Sequence, residues 1–194
     1  MITENEKLDQ IRTNALSAEY IYSEKLRQIN KISLTITVLT TLTPIAVLCS
    51  QLVTKGEPYG KFVDTIAIII SCVLFCLTIL SLILRLEQKK ESYLQGRRDN
   101  IYISNEIDSF KSNSNLDKTW FYKFVSEQDK KDLENIAHID KKMQQSAYRH
   151  ALKKLIPGNA NVVCAFCKKS PFIFIEGECD ACGNTSKKGE EDEQ

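Results

Sequence analysis

Two long stretches without a charged residue constrain this chain more than any other feature. Ile32 to Thr54 runs for 23 positions and Thr65 to Leu84 for 20. A helix rises 1.5 Å per residue, so about 20 residues cover the roughly 30 Å of a bilayer's hydrocarbon core. A soluble helix normally keeps a polar face, and a chain of 194 residues has too little interior to bury two helices that are apolar all round. Both stretches are therefore expected to be transmembrane helices, spanning about 32–54 and 62–84. Residues 1–31 carry many charges and no apolar run, so the first span is expected to be retained rather than cleaved as a signal.

T-K-G-E-P-Y-G-K at 54–61 holds two glycines and a proline and reads as the turn of an antiparallel hairpin, with Asp64 placed to cap the second helix. Orientation follows from the basic residues near the span ends. Lys25, Arg27, Lys31, Arg85, Lys89, Lys90, Arg97 and Arg98 lie outside the hairpin, against Lys55 and Lys61 in its loop. Both termini are expected in the cytoplasm. The overall balance of 26 basic and 25 acidic residues gives no basic field for nucleic acid, which is not expected as a partner.

The first span is rich in hydroxyls, and Ser33, Thr37, Thr40, Pro44 and Gln51 fall on one stripe of a helical wheel. Two readings stay open for this stripe. It lines a water-filled path with a hinge at Pro44, or its small polar residues let helices pack closely while their hydroxyls bond back to the backbone. A kink is expected at Pro44, because the Thr40 carbonyl loses its helical donor. Cys49, Cys72 and Cys76 read as small apolar fillers, and no charged residue lies within 32–54 or 65–84, which argues against a proton relay or voltage sensor. Two helices cannot enclose a pore, so any pore requires several copies.

The flanking regions read as helices. Residues 7–31 place Leu8, Ile11, Ala15, Ala18, Tyr22 and Ile29 on one stripe that runs into the first span. Arg85 to about Phe110 is expected to continue the second span's helix, weakened by Gly96. K-S-N-S-N at 111–115 is a loop, and Asp117 is placed to cap a short helix bearing Trp120, Phe121, Phe124 and Val125. A longer helix is expected over Asp129–Ile156, with Leu133, Ile136, Ala137, Met143, Ala147, Ala151 and Leu155 on its apolar side and Pro157-Gly158 ending it. His138 and His150 read as surface residues, and no catalytic constellation or phosphate-binding motif is visible, so an enzyme is not expected.

C-A-F-C at 164–167 and C-D-A-C at 179–182 are two knuckles separated by eleven residues. Each can turn two thiolates onto one ion, so Cys164, Cys167, Cys179 and Cys182 read as a closed structural zinc site, with no position left for a reactive water. A strand is expected at Phe172–Ile175, completing a zinc ribbon. Lys168, Lys169, Lys187 and Lys188 at its edge read as solvated surface. The chain thus divides into an N-terminal cytosolic amphipathic helix (1–31), a transmembrane hairpin (32–84), a cytosolic helical region (85–158), a zinc ribbon (159–184) and a disordered acidic tail (185–194). The fold class is an all-α membrane protein carrying a small four-cysteine zinc ribbon.

Taken together, the charged N-terminal helix, the two spans, the long helices and the terminal C-x-x-C-x(11)-C-x-x-C resemble the bacterial mobilome proteins named for that cysteine pattern, within the SLATT superfamily of two-transmembrane effectors associated with SMODS nucleotidyltransferases and SLOG sensors. The resemblance implies an inner-membrane effector that forms a homo-oligomeric pore in defence against phages and other mobile elements. It also implies activation through a nucleotidyltransferase or SLOG-type partner. The alternative reading of the same residues is a membrane-tethered scaffold whose ribbon binds a partner without opening a pore.

Overall fold

The computed structural model describes residues 3–54, 60–83, 85–113, 116–155, 159 and 161–185. Most of the hairpin turn, the Pro157-Gly158 helix end and the tail from residue 186 onward lie outside the described residues. Five helices follow in order: α1 (Glu4–Thr54), α2 (Gly60–Ile83), α3 (Leu86–Ser112), α4 (Thr119–Ile136) and α5 (Lys141–Leu155). The chain divides into two compact units, one made of residues 1–25 and 92–194, the other of residues 26–91.

In the first unit, α1 begins with a reciprocal cap. Thr3 Oγ1 accepts from the Glu6 amide at 3.3 Å, and the Glu6 carboxylate accepts from the Thr3 amide at 2.7 Å, which holds the Glu6 carboxyl below its ordinary range. Leu8 and Ala15 of α1 then pack with Ile103, Ile107 and Phe110 of α3 and Phe121 and Val125 of α4. Of the aromatic cluster of α4, Phe121 and Val125 are buried and Phe124 partly so, while Trp120 stays exposed; the Phe110 and Phe121 rings are 4.9 Å apart. Arg12 and Asp108 close the edge with a two-pronged ion pair at 2.7 and 3.0 Å.

Deeper along the same helices lies a buried polar hub. The Asp132 carboxylate accepts from Tyr22 Oη at 2.7 Å, Gln128 Nε2 at 2.6 Å and Asn100 Nδ2 at 3.0 Å, and Asn100 also donates to the Gly96 carbonyl. Gly96 is explained by this hub rather than by helix propensity. A Cβ there would sit 2.4 Å from Tyr22 Cζ, and that ring is fully buried. Gly96→Ala, which gains about 1 kcal/mol in an ordinary helix interior, is expected here to cost about 1–3 kcal/mol through overpacking. Thermal unfolding should register the loss, and in a Tyr22→Leu background the same substitution should no longer destabilise.

Several boundaries differ from the sequence expectation. The second span does not continue into α3: Arg85 takes a left-handed conformation (φ 48°), donates its amide to the Leu82 carbonyl and ends α2. Asp64 lies inside α2 rather than at its cap, since the helix already begins at Gly60. α4 runs unbroken from Thr119 to Ile136, and the chain breaks at 137–140 instead of before Asp129. Asp140 causes the restart, its carboxylate accepting the Met143 amide at 2.8 Å. Asp117 does act at the start of α4, accepting from the Thr119 amide at 2.9 Å. Leu133 faces solvent, outside the apolar side assigned to it. His138 is exposed, but His150 is half-buried, stacks on Tyr20 at 4.7 Å, and is held below the ordinary histidine range by burial.

In the second unit, α1 continues through Pro44 without interruption. Beyond Ile29 its less exposed positions are Ser33, Ile36, Thr40, Thr43, Val47 and Ser50, and those of α2 beyond Gly60 are Val63, Ala67, Ile70, Leu74, Leu77 and Ser81. Both series alternate spacings of three and four, the signature of a knobs-into-holes seam. Ile36 and Leu39 share a groove of about 480 Å³ with Leu77 and Leu80, while Val47 and Ser50 share one of about 260 Å³ with Val63 and Ala67. The large apolar side chains on the remaining faces have 40% to 81% of their surface exposed. Both helices are long and apolar enough to cross a membrane.

The structure splits the hydroxyl stripe. Ser33 and Thr40 lie at the seam, Thr37 and Pro44 are exposed, and the side chain of Gln51 is outside the described residues. Thr37 donates to the Ser33 carbonyl at 2.9 Å and Thr40 to the Ile36 carbonyl at 2.8 Å, so these hydroxyls are satisfied within their own helix. Ser33 reaches the Glu87 carboxylate at 3.2 Å.

Candidate metal centre

The two cysteine pairs fold as near-identical knuckles. In the first, the Lys168 amide donates to the Cys164 carbonyl at 3.0 Å, the Cys164 amide donates to the Lys169 carbonyl at 2.9 Å, and Lys168 is left-handed at φ 57°. In the second, Gly183 donates to the Cys179 carbonyl at 2.7 Å, Cys179 donates to the Asn184 carbonyl at 3.1 Å, and Gly183 is left-handed at φ 70°. A glycine adopts that conformation without strain, whereas Lys168 pays for it. This turn aims both thiols of each pair to one side.

All four sulfurs lie within 4.8 Å of one another and all four cysteines are buried. Cys167 and Cys182 Sγ are 3.4 Å apart, and Cys164 and Cys179 Sγ are 4.0 Å apart. A tetrahedral ion bonded to sulfur at about 2.3 Å requires edges of about 3.8 Å, so the spacing suits one ion and is far too long for disulfides of about 2.05 Å. The thiols are free. Burial raises the thiols of Cys167 and Cys182 above their ordinary range. At Cys179 the same burial is outweighed by the amides of Cys182 and Ala181, which bring it down to about 7. The four cysteines thus brought together can hold a metal ion, and four thiolates complete its coordination without water.

The expected strand at Phe172–Ile175 does not form. Its backbone is taken instead by the buried side chain of Asn184, whose Oδ1 accepts from the Ile175 amide at 3.0 Å and whose Nδ2 donates to the Ile173 carbonyl at 2.9 Å. Only a single bridge, Glu176 to Asn184, is present among the described residues. Asn184 escaped sequence reasoning, although its place immediately after Cys-Gly marks it as the residue that closes the knuckle.

Residues of α5, also unforeseen, seat the module. Gln145 Nε2 donates to the Cys179 carbonyl at 3.1 Å, and Arg149 donates to the Cys182 carbonyl while its guanidinium lies 3.9 Å from the Phe174 ring centroid. Leu152, Tyr148 and Val162 pack around the cysteines. Of the lysines at the module's edge, Lys168 is exposed, Lys169 is half-buried, and Lys187 and Lys188 lie outside the described residues. Cys49, Cys72 and Cys76 are exposed on the apolar helices and take no part in the centre.

No curated protein and no solved structure matches the chain. The sequence model of one family, described as Mobilome CxxCx(11)CxxC protein, matches residues 5–185. That match runs from the first turns of α1 through both knuckles, and the chain belongs to this family.

Proposed function

We propose that this chain is a two-pass inner-membrane effector whose copies assemble into a pore, with both termini cytoplasmic and a structural, non-catalytic zinc ion in the four-cysteine centre. The observation that carries the reading is the surface of the second unit: α1 and α2 turn most of their large apolar side chains outward, while hydroxyl residues such as Thr37 are also exposed on α1. Such a surface suits lipid on the outside of an antiparallel hairpin. Exposed hydroxyls such as Thr37, already bonded within their helix, suit a wetted face once several copies surround it. Membership in a mobilome family, together with the resemblance to SLATT effectors, supports a role in defence against mobile elements. A nucleotidyltransferase or SLOG-type sensor then acts as the activating partner.

Induced expression in bacteria should depolarise the inner membrane, read by a potential-sensitive dye. Thr37→Leu should remove most of the depolarisation while the protein still fractionates with membranes. Thr40→Leu, at the seam, should instead weaken helix packing. Unchanged depolarisation by Thr37→Leu would move the pore lining elsewhere, and absence of depolarisation by the wild type would sink the pore reading.

A second reading is favoured by one feature of the cysteine module. Phe166 and Ile173 are 75% and 69% exposed, which suits a tethered binding module. Under that reading, replacing both spans with an unrelated hairpin preserves function.

A further inference from the structure

The helix α5 has two working faces, and each is tied to a different part of the first unit. One face grips the metal centre through the carbonyls of two ligand cysteines, by way of Gln145 and Arg149. The other holds α1. Ser146 bonds Tyr20 at 3.2 Å, His150 stacks on the same ring, and Lys154 reaches the nearly buried Glu19 at 2.8 Å. Among the described residues, the side-chain hydrogen bonds and ion pairs that leave the module all end on α5.

The energetics make this helix dependent on both faces. At 15 residues α5 is too short to be stable alone. Its buried apolar residues are Ala147, Ala151 and Leu152; the two alanines bury little area, and Leu152 packs among the cysteines. The carbonyls that Gln145 and Arg149 grip are held in place only while the knuckles are folded, and knuckles of this size take their folding energy from the ion.

We propose that α5 transmits metal occupancy to α1: with the ion bound, α5 is clamped on Glu19 and Tyr20, and loss of the ion releases that clamp. The inference is independent of pore formation. α1 is one helix from Glu4 to Thr54, so the clamped residues and the apolar segment belong to the same element.

Hydrogen exchange of the full chain in detergent, zinc-loaded and after EDTA treatment, tests the coupling. Chelation should speed exchange about tenfold, equivalent to about 1.4 kcal/mol, at residues 141–155 and at 15–22, while residues 103–125 keep their protection. A Gln145→Ala/Arg149→Ala variant should retain its zinc yet show the fast exchange at 15–22 without chelator. Unchanged exchange at 15–22 on chelation, equal acceleration at 103–125, or wild-type protection in the zinc-loaded variant would each overturn the proposal.

Discussion

Cys179→Ser should abolish metal binding and unfold residues 161–185. The wild-type chain should purify with about one ion, as expected for a closed four-thiolate site, and the variant with almost none. The expectation rests on how little else holds the module. Its interior is little more than the four cysteines, Pro171 and Asn184, with Leu152 and its neighbours along one side, while Phe166, Ile173 and Ile175 face outward. No strand ladder contributes among the described residues, and Asn184 organises the intervening segment only while the second knuckle is formed. Metal binding worth about 10–16 kcal/mol in small zinc modules therefore exceeds anything the segment's own contacts supply. Serine matches cysteine in size but does not ionise to a thiolate ligand, so the loss should be complete.

Elemental analysis gives the stoichiometry, and chymotrypsin cleavage at Phe172 or Phe174 reports the unfolding. Cys49→Ser, Cys72→Ser and Cys76→Ser should leave both readouts unchanged, because those thiols lie on the apolar helices. A Cys179→Ser protein that kept its ion and its resistance to protease would show that the module folds by its own contacts.

What the sequence made legible were features carried by spacing. The uncharged runs announced two apolar helices, and the eleven-residue interval announced a four-sulfur cluster. What it hid were features set by a distant partner. Gly96 looked like a weak point in a helix, but its cause is Tyr22, which the fold brings over it. The hydroxyl stripe was drawn from α1 alone, while the position of α2 decides which face is covered. The seam therefore took Ser33 and Thr40 but left Thr37 and Pro44 outside. The break between α4 and α5 was hidden because Ile136, Ala137 and Met143 keep helical spacing across it and no proline or glycine marks it. Only the cap at Asp140 gives it away. Phe172–Ile175 has the composition of a strand, yet a single asparagine side chain occupies the backbone groups a ladder needs.

Asp132→Ala should destabilise the first unit by about 3 kcal/mol or more, since each buried donor left without an acceptor costs about 1–3 kcal/mol. Three donors converge on that carboxylate, from Tyr22 of α1, Asn100 of α3 and Gln128 of α4, and all three residues are buried. The unfolding temperature should fall by about 10 °C for a unit of this size. Asp132→Asn should fall between the two. Its oxygen can still serve Tyr22 and Gln128, but its amide nitrogen would meet the Asn100 amide, donor against donor.

The pH dependence separates the charge from the packing. Burial raises the Asp132 carboxyl above its ordinary range, against the lowering effect of its three donors, and burial together with Asp132 raises Asp129. The folded chain thus holds these protons more tightly than the unfolded chain. Their contribution to stability is fully present below the ordinary carboxylate range and is lost as pH rises through the raised values. The gap in unfolding temperature between wild type and Asp132→Asn should therefore widen as pH is lowered from neutrality toward the ordinary carboxylate range, because only the wild type gains a proton at this position. A gap that stays constant all the way down to the ordinary carboxylate range would mean that the folded protein bears the Asp132 charge at no cost.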